Sequence, residues 1–527
     1  MKTKKSTFRR HDGKLPFNVS RIKEPLLKFG YNQQLEYARD GLYLFGPDRS
    51  DETMFNIRYG VIGTPDSVER FKTWLSTLQG FIDIPDEARP SGVTNSFHVA
   101  FPGFEQAFGV SWEFTQDVPI LEIDAQELSR RIKIRNRYEA IKLSVDLFVD
   151  MLVSHQNREE NPPNVWIVVV PEEVHRYGRP QSTVRKEDQE IGRITISRSQ
   201  AHHVKDNPTL FGETDAEAKV YQYERNFRRQ MKARLLDDRI VTQLIRDTTL
   251  TPSEFITEWG SPIRRLEDPA TVAWNLSTAV YYKNGGRPWQ LASVRPNVCY
   301  VGLAYKKTGP VDNDPYACCA AQMFLSSGDG IVFRGALGPW YSPDSKQFHL
   351  DKNNARDLIG MVVDEYAHKF GNPPNELFLH AQSEFTPDEW MGFKEGCSRQ
   401  TQLTGVQIRS YSNNLKLYRP GKYPIIRGSV VSSGSGEVYL WTSGFVPRLG
   451  TYMGPETPNP IHVKVLKGNC SLKRVLKDVM ALTKLNFNAC QFSSRLPITI
   501  KYADAIGDVL LAAPINSEPR LPFKFYI

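Results

Sequence analysis

Arg228, Lys232, Gln243 and Lys283 have the types and spacing to do chemistry together. Arg228 and Lys232 are four apart in the basic run YERNFRRQMKAR, so a helix there projects both from one face. Gln243 opens the strand-like VTQLIR. Lys283 closes the helix-like PATVAWNLSTAVYYK, with Gly285 and Gly286 as stop signals. Lysine supplies a point charge, arginine a planar donor fork and glutamine a neutral donor, a set suited to a phosphate. The competing expectation is a solvated basic helix beside a capped neighbour, the usual fate of a charge run.

The elements that must position these residues are legible in outline. The basic run predicts a helix of about four turns from near Tyr221. Upstream, NIRYGVIGT reads as a strand and SVERFKTWLSTLQGF as an amphipathic helix, followed by one long helix from about Ala125 to His155. NVWIVVVP is a continuous apolar run, the mark of a buried parallel strand. Strands alternating with helices predict a Rossmann-like α/β layer, with ligands beyond the carboxyl ends of its strands. After the turn-rich KNGGRPW the pattern restarts. NVCYVGLAYKK, YACCAAQMFLSS and GIVFRGAL read as three antiparallel strands. A helix follows, NNARDLIGMVVDEYAHKFG, with Asn354 near its cap. Then come the strand NELFLHAQ and the helix TPDEWMGFKEG, with Thr386 and Glu389 as a capping box. GVQIRSY, IIRGSVVSS and GEVYLWTSG are further strands, SLKRVLKDVMALTKL a helix, and LPITIKYADAIGDVLLA leads into the last helix. This second series predicts an RNase H-like fold.

Composition sets the outer limits. At 527 residues, two to four domains are expected. Hydrophobic content of 40% and aromatic content of 11% allow a substantial core. A net charge of +8, with pI near 8.9, leans toward a polyanionic partner. No apolar run reaches the ~18 residues of a membrane helix, and the basic start MKTKKSTFRRHDGK lacks the apolar core of a secretory signal. The six cysteines form no CxxC pair and no zinc spacing. A reduced, cytoplasmic protein is the simplest expectation.

Several motifs resemble one family in order along the chain. EPLLKFG, DGLYLFGP and IRYGVIGT resemble the opening of short prokaryotic Argonautes. GRPWQLA before VGLAYKK, then LTKLNFNACQFSSRLPITIKYAD and the terminal FKFYI, resemble PIWI signatures. The resemblance covers the chain from about residue 16. It implies an α/β protein with a basic tail and lead-in at 1–52, a Rossmann-like MID domain at 53–285 and an RNase H-like PIWI domain at 286–527. It further implies that Arg228, Lys232, Gln243 and Lys283 bind a guide strand's 5′-phosphate. The Ile527 carboxylate would join them through a structural Mg²⁺. Arg228 stands where the family often has a stacking tyrosine or histidine.

The resemblance also implies that the nuclease is lost. An active PIWI domain uses clustered carboxylates to hold two metal ions. At the matching places stand Ala304, then Ala381 or His380, leaving Asp504 as the residual acid. Asp312, Asp314 and Asp329 read as turn residues. Lys306, Lys307, Arg334, Arg409, Arg427 and Lys501 are expected to line a nucleic-acid channel that reads duplex shape, leaving sequence to the guide. The implied function is a guide-dependent sensor: an RNA guide, a complementary single-stranded DNA target and no cleavage. Output would come from a PAZ-analogous effector protein carrying a TIR-type or sirtuin-type NADase or a nuclease, held as a heterodimer that assembles further on activation in prokaryotic immunity. The rival expectations are an active Argonaute endonuclease and a guide-independent RNA-binding scaffold.

Overall fold

The computed structural model describes residues 17–49, 56–85, 97–206, 212–293, 295–307, 317–325, 330–338, 340–342, 347–410, 415–433, 438–452, 454, 456–514 and 520–527. The basic tail and Asp312, Asp314 and Asp329 lie outside these residues. No helix among the described residues is long and apolar enough to cross a membrane.

The chain starts with an edge strand, β1 (Phe17–Arg21), whose partner comes some four hundred residues later. It then enters the first α/β unit. Strands β2 (Tyr59–Gly63), β3 (Ile120–Glu122), β4 (Val165–Val170) and β5 (Thr242–Arg246) form a parallel sheet in the order β3-β2-β4-β5. All six residues of β4 are buried because helices cover both faces. Ile167 and Val169 face one core; Trp166, Val168 and Val170 face the other. Helix α1 (Pro65–Thr77) starts where Thr64 accepts a hydrogen bond from the Ser67 N–H and Pro65 presets the first turn.

Two helix expectations need correction. The predicted long helix is two, α2 (Ala125–Ile132) and α3 (Arg137–Arg158). Asn136 caps the second by accepting from the N–H groups of Tyr138 and Glu139. Periodicity continued across the break and hid the cap. The expected four-turn basic helix is only α5 (Phe227–Arg234), after the shorter α4 (Glu172–Tyr177). Asn226 caps α5, and residues 220–222 form a separate 3₁₀ turn. Helix α6 (Pro269–Lys283) stops as expected, with Gly285 at φ 109°, a value L side chains rarely adopt.

The second unit is a ten-stranded mixed sheet. Strands β6 (Val298–Lys307), β7 (Ala317–Phe324) and β8 (Gly330–Gly338) form the expected antiparallel series. Helix α7 (Lys352–Phe370) is capped by Asp351, not Asn354, whose N–H donates to the Asp351 carboxylate. Strand β9 (Glu376–Ala381) is followed by α8 (Pro387–Gly396), which has the predicted capping box. Next come β10 (Gln402–Ser410), β11 (Ser429–Ser433), β12 (Val438–Leu440) and β13 (Ile461–Lys467), the last unpredicted despite its IHVKVLK alternation. Helices α9 (Leu472–Leu482), α10 (Ile498–Lys501) and α11 (Ala503–Leu510) precede the terminal β14 (Leu521–Pro522). The order is β1-β11-β12-β13-β10-β9-β6-β7-β8-β14. β9 runs parallel to both β6 and β10, so their carboxyl ends share one rim.

Residues 17–49 are more than a lead-in. β1 pairs with β11 over five residues, and Leu27 pairs with Leu291. Buried Arg39 donates to Thr271 Oγ1 at 2.8 Å and to the Cys490 carbonyl at 2.9 Å, so it touches both units. Glu24 is buried between Arg427 (2.9 Å) and Lys484 (2.8 Å). Burial alone would raise its pKa, but the two cations outweigh that and lower it. Removing Glu24 would leave two buried cations uncompensated. Glu24→Ala is therefore expected to cost about 3–5 kcal/mol, read as a fall in the denaturant midpoint. An unchanged midpoint would show that this triad does not hold the segment.

Candidate nucleic-acid interface

The four predicted residues converge. Arg228, Lys232, Gln243, Lys283 and Ile527 line one cavity of about 450 Å³. It runs along the outer edge of β5 from Gln243, the second residue of that strand, to Arg246 at its carboxyl end, where Val170 at the carboxyl end of β4 also lines it. Helix α5 carries Arg228 and Lys232 and packs beside β5, and Lys283 arrives from the last turn of α6. Asn488 and the chain terminus close the cavity from the second unit.

A donor count defines what the site can bind. Lys283 Nζ donates to the Thr242 carbonyl at 3.0 Å, Gln243 Oε1 at 2.7 Å and an Ile527 terminal oxygen at 2.8 Å. These three acceptors use all three of its donors. Lys232 Nζ donates to the Thr242 carbonyl at 3.1 Å and Thr242 Oγ1 at 3.3 Å, leaving one donor. Gln243 gives its amide N–H to the Leu244 carbonyl. Arg228 is exposed at the mouth. Arg229, its neighbour, turns away to Glu224 at 2.6 Å and to Asp508.

The electrostatics call for an anion. Lys232 and Lys283 are 3% and 1% exposed, with no carboxylate side chain against either ammonium. Burial pushes both pKa values well down, and repulsion from Arg228 adds to it in each. For Lys232, Lys283 is a further repulsive neighbour. Among the described residues, the Ile527 carboxyl oxygen is the one acidic group in contact, and it touches Lys283, not Lys232. Sequence reasoning missed three further lining residues, His175, Arg179 and Arg246. Arg246 pairs with Glu172, and burial followed by repulsion from Arg246 lowers the His175 pKa. The run PEEVHRYGRP was the only signal of His175 and Arg179, and Arg246 ends the strand-like VTQLIR; neither run has spacing that marks a site.

Mg²⁺ is hard and wants six oxygens in near-ideal octahedral geometry. The chain offers the Ile527 carboxylate, already held by Lys283, and Gln243 Oε1. No group of three His, Cys, Asp or Glu side chains suited to a metal occurs among the described residues. The chain therefore fits the ion only if ligand oxygens complete its shell.

The predicted channel residues divide. Lys306 and Lys307 sit at the carboxyl end of β6, and Arg409 is exposed near that of β10, on the shared rim. Lys306 pairs with Asp508 at 2.7 Å, the Lys307 ammonium stands 3.5 Å from the Tyr341 ring centre, and Arg409 donates to the Gln382 carbonyl. Arg334 lies on β8, opposite Ala320. Arg427 is not a channel residue: it is 2% exposed and committed to Glu24 and Thr483. Its place beside a predicted strand could not reveal that burial. Lys501 lies in α10, not in a strand, and is half-buried, which lowers its pKa.

The positions that the resemblance matches to nuclease carboxylates also gather at this rim. Gly302 on β6 pairs with His380 on β9, and Ala304 follows two residues on, hence on the same face. Ala381 pairs with Gln407 and packs with Leu303 in the opposite core. Of the two residues the sequence offered, His380 is the one on Ala304's face. Its Nδ1 lies 2.8 Å from Thr499 Oγ1, and burial pushes its pKa down to about 3, so it is neutral at physiological pH. Asp504 lies within α11, not ahead of it, and that helix packs on β6.

The architecture matches solved Argonaute structures. Clostridium butyricum Argonaute bound to a guide DNA and a 19-mer target DNA aligns with a TM-score of 0.62, at 13% identity, over 97% of this chain and 55% of that one. A. aeolicus Argonaute aligns at 0.53, with 16% identity, over 98% and 56%. Aa-Ago with externally bound siRNA also gives 0.53, with 16% identity, over 96% and 56%. This chain thus spans little more than half the length of those proteins. No family model matches the sequence, and no curated protein does. The fold is Argonaute-like, with a MID-like parallel sheet and a PIWI-like mixed sheet.

Proposed function

We propose, from this Argonaute-like fold and the cation-lined cavity within it, that the chain is a guide-loaded sensor that does not cut. The observation that carries the reading is the pair of buried ammonium groups, Lys232 and Lys283, in a cavity that also holds Arg228. A guide's 5′-phosphate supplies the missing negative charge and takes charge-assisted hydrogen bonds from Lys232 and Arg228. The Ile527 carboxylate, together with phosphate oxygens, would hold Mg²⁺, which would supply charge neutralisation there. The guide is RNA and the target complementary single-stranded DNA. Lys306, Lys307 and Arg409 flank the duplex at the rim of the sheet.

Non-cleavage rests on the rim chemistry. Two-metal hydrolysis needs several carboxylates around the reacting phosphate. Alanine at 304 has no donor atom, and His380 is neutral, buried and bonded to Thr499. Asp504 alone cannot hold two ions. The biological output then belongs to a partner, a PAZ-analogous effector with a TIR-type or sirtuin-type NADase or a nuclease, acting in prokaryotic immunity in the cytoplasm.

The test is loading of one RNA sequence with 5′-phosphate or 5′-hydroxyl, followed by matched DNA and Mg²⁺. Phosphate-dependent loading, then target capture with the DNA intact, is the expected result. Equal loading of both guides would remove the phosphate reading and favour a guide-independent scaffold. Mg²⁺-dependent cleavage by the purified chain would make it an endonuclease.

A further inference from the structure

A second cavity, of about 390 Å³, lies between α9 and the amino-terminal part of β6, at the opposite end of the strand from the rim. Leu291, Leu482 and the Tyr300 ring give it an apolar floor. Its polar wall carries four cations, Arg295, Lys473, Arg474 and Lys477, with one carboxylate, Asp478, and the hydroxyls of Ser293 and Ser471.

The arginines are fixed in place. Arg295 bridges Asp478 and Glu376 and stacks 5.2 Å from the Phe378 ring centre. Arg474 pairs with Glu376 at 2.8 Å. Two carboxylates are thus shared between two arginines. Lys473 and Lys477, one turn apart on the exposed face of α9, have no ion-pair partner among the described residues. Four cations against two carboxylates leave an excess of +2, which suits the negative charge of a phosphate ester.

A concave apolar floor with a few converging polar groups is the anatomy of a small-molecule site, not of a solvated helix face. We propose that this cavity binds a nucleoside phosphate, its phosphate held by Lys473, Lys477 and Arg474 and its base and sugar over Leu291, Leu482 and Tyr300. The site is separate from the guide cavity and does not depend on the guide reading.

Calorimetry on the full chain with ADP, adenosine and inorganic pyrophosphate tests this. Two variants divide the cavities: Lys473→Ala/Lys477→Ala and Lys232→Ala/Lys283→Ala. ADP should bind the second variant as it binds wild type and should bind the first at least about tenfold more weakly, through loss of two charge-assisted contacts. Both lysines of the first variant are exposed, so its melting temperature should match wild type. Binding lost only in the second variant would assign the nucleotide to the guide cavity and overturn the proposal. Absence of ADP binding to wild type would overturn it too. Pyrophosphate binding as tightly as ADP would remove the role of the apolar floor, and adenosine binding as tightly would remove that of the cations.

Discussion

Lys232→Met should make the empty protein more stable and weaken loading of a 5′-phosphorylated guide at least about tenfold. The two effects have one cause. Each ammonium is buried with less opposite charge than its desolvation requires, and burial pushes both pKa values well down. A lysine whose folded pKa lies below its unfolded value destabilises the fold when protonated. That penalty grows as pH falls from the ordinary lysine range to the depressed pKa, and it is complete at neutral pH if the depressed value lies above it. Methionine, apolar and of similar volume, removes it at Lys232, a change worth about 1–4 kcal/mol in comparable buried-charge replacements; at Lys283 it would strand the Ile527 carboxyl oxygen that Lys283 holds. The guide loses the charge-assisted contact from the one donor that Lys232 has free, about 1.5–3 kcal/mol, at least about tenfold in affinity. Thermal melting of the empty chain and filter binding of the guide check the two halves separately. A Lys232→Met variant that melts lower and still loads would show that this lysine serves the fold, not a ligand.

Extending the chain beyond Ile527 should be nearly as damaging. Tyr526 and Ile527 are 2% and 3% exposed, and a terminal oxygen of Ile527 accepts from Lys283. A short Gly-Ser extension turns that carboxylate into an amide carbonyl and must either run into the cavity that Ile527 lines or draw the chain end out of it. Drawing Ile527 from its seat costs about 2–5 kcal/mol for an emptied apolar site. Lys283 also loses its only charged partner among the described residues. The expected result is a lower melting temperature and a smaller ratio of 5′-phosphate to 5′-hydroxyl guide affinity, measured against an amino-terminally tagged control. Equal melting and equal ratios in the two proteins would mean that the terminus is not part of the site.

Local residue chemistry made much of this legible. Thr386 and Glu389 announce their capping box because both partners lie within one turn. VWIVVV announces a doubly covered strand because all six residues are apolar. Arg228 and Lys232 share a face because helical spacing requires it. The same reasoning failed where a signal was continuous across a break. The pattern around Asn136 joined two helices, and the charge run before Phe227 lengthened one. Arg427 failed differently. A charged residue beside a strand reads as solvated, and only the distant Glu24 makes its burial tolerable.

What the sequence determined by itself was the set of elements, their two successive patterns and the residue types suited to a phosphate, since each follows from spacing within a few turns. Tertiary structure alone decided which cations meet. Gln243, Lys283 and Ile527 are brought together by the free edge of β5, the last turn of α6 and the buried chain end. It also decided that His380, and not Ala381, shares the face of Gly302, because strand register fixes the face and register is a relation between strands.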